Sequence, residues 1–326
     1  PAQNAAVPRL VPSDSLVRAN VTVDLLGGPH GRYAYHHAKY AVVDGRALVL
    51  TENWKPSGTG GRSSRGWGVV VTQERVVRGL VETFDADANW RGARPWRRVR
   101  RGQAFARRPA DNGSYAAAYD PERVPVERTE LYVAPDNAGR EVVAALDGAN
   151  ESVDVIQMSI DGPDQRFLRA TLRAARRGVD VRVLLSGAWY VEDENRRLVE
   201  RLRERAETEA LPLEARLADP GERFEKIHAK GVVVDGDRVL LGSLNWNGES
   251  ITRNREVVVS LHGERVGSYY REVFESDWNG GAGGAGAGPA RSLPVGIVVA
   301  VGGCVVLAVL VARRIDFGED VGVRPE

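Results

Sequence analysis

Residues 226–236 read KIHAKGVVVDG, and residues 35–45 read YHHAKYAVVDG. Each stretch continues into an apolar segment that ends in an Asn-Trp pair, and then into a Val-rich segment. An amphipathic helical pattern follows, with Phe84 and Asp87 in the first copy and Phe274 and Asp277 in the second. This repetition predicts two copies of one structural unit.

Both stretches share the spacing His-x-Lys-x4-Asp. The matching residues are His37, Lys39 and Asp44 in the first copy, and His228, Lys230 and Asp235 in the second. Both segments, 35–43 and 227–234, are predicted strands, in which residues two apart face the same side, so each histidine projects with its lysine. The Asp-Gly pair predicts a hairpin turn. The returning strands then bring Thr51 and Asn53, or Ser243 and Asn245, beside the His-Lys pairs.

Alternating strands and helices precede the second motif and predict an α/β fold. The predicted strands are 130–133, 152–159 and 179–185, and the predicted helices are 138–148, 166–178 and 192–209. Only 36 residues precede His37, and they contain one predicted strand, 20–26. The first copy is therefore expected to be incomplete at its N-terminus. Residue 1 is also not methionine, so we expect an intact protein that is longer by roughly 80 to 130 residues.

The chain divides into six predicted segments. They are a first partial half (1–107), a linker (108–127), a second half (128–279), a Gly/Ala-rich linker (280–292), a transmembrane helix (293–312) and a short tail (313–326). The helix has no charged residue over 20 positions, enough to cross a hydrocarbon core of about 30 Å. Arg313 and Arg314 follow it and predict a cytoplasmic C-terminus with the body outside. A buried core helix, and tail insertion with the body inside, are the alternatives.

The composition excludes some classes of protein. The 45 basic and 44 acidic residues nearly cancel, so the whole chain has no general attraction to nucleic acid. Cys304 is the single cysteine, which excludes an intrachain disulfide or a cysteine-built metal site. The arginine- and tryptophan-rich segment 90–108 favours either a solvated connector or a nucleic-acid contact.

The repeated motif resembles that of the phospholipase D superfamily, in which each copy is followed by Gly-Ser-x-Asn. The second copy matches with residues 242–245, whereas residues 50–53 read Leu-Thr-Glu-Asn. A glutamate often follows the second motif in this family. Glu256 fits it, and Gly68 is taken as its counterpart in the first copy. The resemblance implies two pseudo-symmetric α/β sandwich halves.

The resemblance also implies a mechanism. His37 would attack phosphorus and form a phosphohistidine, while His228 would protonate the leaving oxygen; the pseudo-symmetry leaves the reverse order open. Lys39 and Lys230 would hold the phosphate oxygens, Asp44 and Asp235 would orient the histidines, and no metal or other cofactor is implied. Thr51, Asn53, Ser243 and Asn245 would add hydrogen bonds to phosphate, and Glu256 would be a further supporting residue of the site.

Three functions are compatible with these features. The first is a metal-independent phosphodiesterase or phosphatidyltransferase acting on phospholipid headgroups at a membrane. The second is a nuclease of the same superfamily, supported by segment 90–108. The third is a surface-anchored binding protein with a decayed site, suggested by the altered residues 50–53. The expected partners are a phosphodiester substrate and a membrane contacted through residues 293–312.

Overall fold

The computed structural model describes residues 22–26, 31–55, 58–59, 63–99, 101, 119–218 and 223–280. The strands are β1 (Asp24–Leu25), β2 (Tyr40–Val43), β3 (Arg46–Leu50), β4 (Ser64–Arg65), β5 (Gly68–Val71), β6 (Arg94–Pro95), β7 (Arg128–Ala134), β8 (Ser152–Gln157), β9 (Asp180–Leu185), β10 (Leu213–Leu217), β11 (Lys226–Ile227), β12 (Lys230–Val234), β13 (Arg238–Gly242) and β14 (Glu256–His262). The helices are α1 (Glu74–Ala88), α2 (Trp96–Val99), α3 (Ala138–Asp147), α4 (Arg166–Arg176), α5 (Glu192–Glu209), α6 (Gly248–Thr252) and α7 (Glu264–Trp278). The mixed α/β fold expected from the sequence is confirmed.

The chain forms two compact units. The smaller one comprises residues 1–25, 94–108 and 285–326. In its described part, β1 pairs antiparallel with β6, and α2 follows β6 directly. The larger unit comprises residues 26–93 and 109–284 and contains both His-x-Lys motifs.

A seven-stranded sheet dominates the larger unit, with the strand order β10-β9-β8-β12-β13-β14-β7. Strands β10, β9 and β8 are parallel, because the helices α4 and α5 connect them as crossovers. From β8 onward, neighbouring strands are antiparallel. Every residue of β8 and β12 is buried, including the polar Ser152, Asp154 and Gln157 of β8.

The first copy is smaller and matches the C-terminal part of the second. Its strands form the antiparallel sheet β2-β3-β5, and α1 follows them. In the second copy the same order is β12, β13, β14 and α7. The two copies of the repeat therefore share one order of elements, from the His-x-Lys motif to the helix that contains Phe-x-x-Asp.

The buried apolar residues form two clusters. One lies between the seven-stranded sheet and helices α3, α4 and α5, and includes Phe167 and Leu198. The other joins the two copies, because Val49 and Leu80 of the first copy share it with Leu241 and Phe274 of the second. A side chain of this size contributes roughly 1.5–3 kcal/mol when fully buried, so the shared cluster holds the two copies together.

The strands that carry the motifs differ from the prediction. Instead of one strand over 227–234, the chain forms β11, breaks at His228 and Ala229, and resumes as β12. The break arises because the chain changes partners: β11 pairs with β4 of the first copy, whereas β12 pairs with β8 and β13. In the first copy, the strand predicted over 35–43 is limited to β2, and His36 forms an isolated bridge to Arg255.

The other predicted elements agree more closely. Helix α5 has the predicted bounds, and α3 and α4 end one or two residues early. Strand β10 was not predicted. The predicted transmembrane helix at 293–312 lies outside the described residues. Among the residues described, no helix combines the length and apolarity that a membrane crossing requires.

Candidate active site

His37 is held by groups of the second copy. Its backbone N–H donates to the carbonyl of Arg255 at 2.9 Å, and its Nδ1 lies 2.8 and 2.9 Å from the two carboxylate oxygens of Glu256. Glu256 is fully buried at the start of β14. Because the carboxylate accepts the Nδ1 proton, the other ring nitrogen, Nε2, remains available for chemistry.

His228 is held by groups of the first copy in the equivalent way. Its backbone N–H donates to the carbonyl of Arg65 at 2.9 Å. Its Nδ1 lies 3.2 Å from the carbonyl oxygen of Thr51 and 3.4 Å from Oε2 of Glu52. Each histidine is therefore positioned by the opposite copy, which brings both motifs into one site.

The two motif lysines are buried between the histidines. The Nζ of Lys230 donates to the carbonyl of His228 at 2.7 Å, and Lys39 makes the same contact with His37. Burial lowers the pKa of Lys39 to about 8, although Glu256 and Glu52 oppose the shift. Burial and the charge of Lys39 lower the pKa of Lys230 to about 7. Two buried lysines in one site, when protonated, would be stabilised by a bound anion.

His228 is the most strongly perturbed of the titratable groups in this cluster. Burial lowers its pKa to about 2, and the charges of Lys230, Lys39 and His37 act in the same direction. The imidazole of His228 is therefore neutral in the free site at neutral pH. Burial is the largest cause of this shift, and a bound phosphate would offset the added effect of the two lysine charges.

The two asparagines and the two hydroxyls predicted to bind phosphate have different environments. Asn53 and Asn245 are partly exposed, and their side chains remain available as donors. Thr51 and Ser243 are fully buried. The Thr51 hydroxyl donates to the backbone carbonyl of Trp67 and accepts from its backbone amide. The Ser243 hydroxyl makes the same two bonds with Val257. The expectation that these two hydroxyls bind phosphate is therefore corrected: they hold adjacent strands together.

The two motif aspartates do not contact the histidines. Asp235 accepts hydrogen bonds from the backbone amides of residues 150, 151 and 152 at 2.8–3.1 Å. Asp44 is exposed in the hairpin turn, at the far end of β2 from His37. Both have positive φ angles, 48° and 51°, and each precedes a glycine, as a type I′ turn requires. The prediction that they orient the histidines is corrected: Glu256 and Glu52 are the adjacent carboxylates.

Two ion pairs that the sequence analysis missed join the copies behind the site. Arg255 of the second copy pairs with Asp87 of the first at 2.9 Å, and Arg65 of the first pairs with Asp277 of the second at 3.1 Å. His36 also contacts Asp87 at 3.1 Å, which agrees with a structural role for that histidine. The repeated Phe-x-x-Asp pattern was the available signal, because it contains both aspartates.

Several exposed aromatic side chains lie next to Asn53 in the chain or near Glu52. Trp54 follows Asn53 directly and is 57% exposed, and Trp189 is 87% exposed. Trp189 packs edge-on against Tyr190. Burial raises the pKa of Tyr190, and the charge of Glu52 raises it further. Lys226 lies 5.9 Å from the centre of the Tyr190 ring. These side chains therefore combine exposed aromatic rings with a cation.

Comparison with known proteins matches part of the chain to a family. Residues 142–278 match the family model described as the cardiolipin synthase, phospholipase D-like domain. No curated protein sequence matches the chain.

Several solved structures are similar. Phosphatidylserine synthase from Haemophilus influenzae is 13% identical, with a TM-score of 0.54 over 86% of this chain and 70% of its own. Nuc, a phospholipase D family member from Salmonella typhimurium, is 23% identical, with a TM-score of 0.39 over 47% of this chain and 94% of its own. NucT from Helicobacter pylori is 20% identical, with a TM-score of 0.39 over 47% and 96%. Residues 142–278 of the second copy therefore match a phospholipase D-like domain, and the chain is similar to the phospholipase D superfamily in carrying two His-x-Lys motifs.

Proposed function

We propose that the protein cleaves or transfers phosphodiesters through a phosphohistidine intermediate, without a metal. The observation that carries this proposal is the single buried cluster formed by both His-x-Lys pairs. Within it, each histidine is held by the opposite copy, and burial and the charge of Lys39 lower the pKa of Lys230. Such a cluster would bind a phosphate anion and stabilise its charge.

In the first step, His37 Nε2 bonds to phosphorus as the bond from phosphorus to the leaving oxygen breaks. The leaving oxygen takes a proton from His228. In the second step, His228 removes a proton from water or an alcohol, whose oxygen displaces His37 from phosphorus. Lys39 and Lys230 hold the non-bridging oxygens throughout, and Asn53 and Asn245 add hydrogen bonds.

Substrate binding sets the protonation state of His228. In the free site burial and the nearby charges of Lys230 and Lys39 lower the pKa of His228, which would leave it without a proton to donate. A bound phosphodiester brings a negative charge among these cations and raises the pKa of the imidazole. His228 therefore becomes an acid only when the substrate is present.

Phospholipid is the proposed substrate class. The exposed rings of Trp54 and Trp189 suit the interface between lipid headgroups and acyl chains. The apolar residues 293–312, which lie outside the described part of the chain, would hold the enzyme at such a surface with its body outside the cytoplasm. The family model is itself described by cardiolipin synthase.

The membrane attachment has its own test. The full chain should resist extraction from membranes at alkaline pH, and a chain that ends at residue 287 should be released. Release of the full chain would contradict the attachment.

The activity test uses the full chain with EDTA present. Phosphatidylglycerol vesicles, single-stranded DNA and a p-nitrophenyl phosphodiester are offered to the unchanged chain and to His37→Ala, His228→Ala and His262→Gln variants. We expect lipid turnover that both motif substitutions abolish and that the His262 control retains, with an acid-labile phosphoryl group trapped on His37. Cleavage of DNA alone would overturn the substrate class, and activity in His228→Ala would overturn the mechanism.

A further inference from the structure

The pairing of strands identifies the residue of the first copy that corresponds to Glu256. Thr51 exchanges hydrogen bonds with Trp67, and Ser243 exchanges the same bonds with Val257. Trp67 is therefore equivalent to Val257, and the residue before it, Gly66, is equivalent to Glu256. The sequence-based assignment of Gly68 to this place is wrong by two residues, and the first copy has no side chain where the second has its carboxylate.

Glu52 occupies the space left by that missing side chain. A Cβ atom added to Gly66 would lie 2.2 Å from Cγ and 2.5 Å from Oε1 of Glu52, so Glu52 fits only because residue 66 is glycine. The equivalent of Glu52 in the second copy is Leu244, next to Ser243. The first copy therefore has its glutamate at position 52, whereas the second copy has its glutamate on the facing segment, at position 256.

A second exchange beside the first shows the same compensation. In the second copy Gly242 faces Val258, whereas in the first copy Leu50 faces Gly68. A Cβ atom added to Gly68 would lie 2.6 Å from Cδ2 of Leu50. The altered residues 50–53 are thus matched to changes on the facing strand, which is not what a decaying site would show.

The environment of Glu52 is that of a carboxylate with a partner. Its side chain is buried, Oε2 lies 3.4 Å from Nδ1 of His228, and Ser64 donates a hydrogen bond to the same oxygen at 3.2 Å. Burial raises the pKa of Glu52, and the charge of Lys230 and the Ser64 hydroxyl oppose that shift. Its other oxygen, Oε1, has no hydrogen-bond partner among the described residues.

We infer that Glu52 is the positioning residue for His228, relocated from position 66 to position 52. This role rests on the proposed function. Glu52 faces the Nδ1 side of the ring, keeps Nε2 directed at the leaving oxygen, and offsets the charge of the imidazolium when His228 is protonated. Glu256 positions His37 from the second copy's equivalent of position 66, where the first copy has a glycine.

The kinetic test compares Glu52→Gln with the unchanged chain on two substrates. One is a p-nitrophenyl phosphodiester, whose leaving group needs little help from an acid, and the other is a dialkyl phosphodiester. A positioning residue for the acid should cost about 10²-fold in kcat on the dialkyl substrate, less than 10-fold on the aryl one, and little in KM. Equal losses on both substrates, or no loss, would overturn the role of Glu52.

The relocation is tested by moving the carboxylate back. Gly66→Glu alone should lower both stability and activity, because its side chain collides with Glu52. The double variant Glu52→Leu/Gly66→Glu reproduces the second copy, so it should recover activity to within about 10-fold of the unchanged chain. Equal melting temperatures for Gly66→Glu with and without Glu52→Leu would overturn the relocation.

The outcomes separate the two proposals. If the unchanged chain turns over neither substrate, the proposed function fails, and the role of Glu52 fails with it. If the unchanged chain is active and Glu52→Gln equals it on both substrates, only the role of Glu52 fails.

Discussion

Replacing Asp87 with alanine should destabilise the larger unit by about 3 kcal/mol. Asp87 receives two hydrogen bonds from Arg255 at 2.9 Å and one from His36 at 3.1 Å. The Arg255 side chain is 3% exposed and that of Asp87 2%, so the variant leaves a buried arginine without its main partner. Breaking such a pair costs about 3–5 kcal/mol. The lower value applies because Arg255 keeps Asp136, at 2.8 Å.

The measurement is guanidinium chloride unfolding followed by tryptophan fluorescence, with the melting temperature as a second readout. A loss of about 3 kcal/mol corresponds to a decrease of roughly 6–12 °C. Asp277→Ala should cost less, because the side chains of its partners Arg65 and Arg223 are 14% and 21% exposed and can be hydrated. The variant Asp87→Ala should also lose activity, since His36 directly precedes His37.

The matched control is Glu74→Ala. Its partner is Arg78 at 3.6 Å, and both side chains are mostly exposed, so the change should stay within about 0.5 kcal/mol. If Asp87→Ala costs no more than this control, the ion pairs between the copies do not stabilise the fold, and the reasoning is refuted.

Three further predictions concern the site and its framework. Activity measured as kcat/KM should fall as pH rises through about 7 to 8, because Lys230 and Lys39 lose the charges that hold phosphate; a profile flat to pH 10 would contradict this. Asp235→Ala should lower the free energy of unfolding by about 1–2 kcal/mol, since three backbone amides lose their acceptor, while kcat stays within about 3-fold of the original; a loss of kcat as large as that of a motif histidine would restore the orienting role. Gly242→Ala should reduce the yield of folded protein or lower its stability by more than about 3 kcal/mol, because the added methyl group would lie 2.1 Å from the carbonyl of Val257; a chemical denaturation curve like that of the unchanged chain would contradict this.

The motif residues could be found from the sequence because their spacing occurs twice. Histidine and lysine are scarce in this chain, with five and four residues, so their repeated pairing at His37 and Lys39 and at His228 and Lys230 is informative. The α/β alternation of the second copy was predictable for a similar reason, since its buried strands and amphipathic helices have clear periodicities. These features depend on local sequence, and local sequence was sufficient for them.

The features that were missed depend on contacts between the copies. Glu52 aligns with Leu244, so a comparison of the two motifs presents it as a defect rather than a replacement. The role of Asp235 was wrong because the strand lies between its turn and His228. The contact of Arg255 with Asp87 joins residues 168 positions apart, and nothing in the spacing of either residue indicates a partner.

The reciprocal ion pairs have a consequence for symmetry. An arginine on each copy pairs with the aspartate near the end of the other copy's helix. The two copies therefore contact each other through equivalent surfaces. The second copy therefore carries both members of the set, Arg255 with Asp277 and Glu256 with His228. A chain made of residues 128–280 alone would be self-complementary, and two such chains could close a complete site across a twofold axis. Sedimentation of that segment as a monomer would show that the surface is no longer interchangeable between the copies.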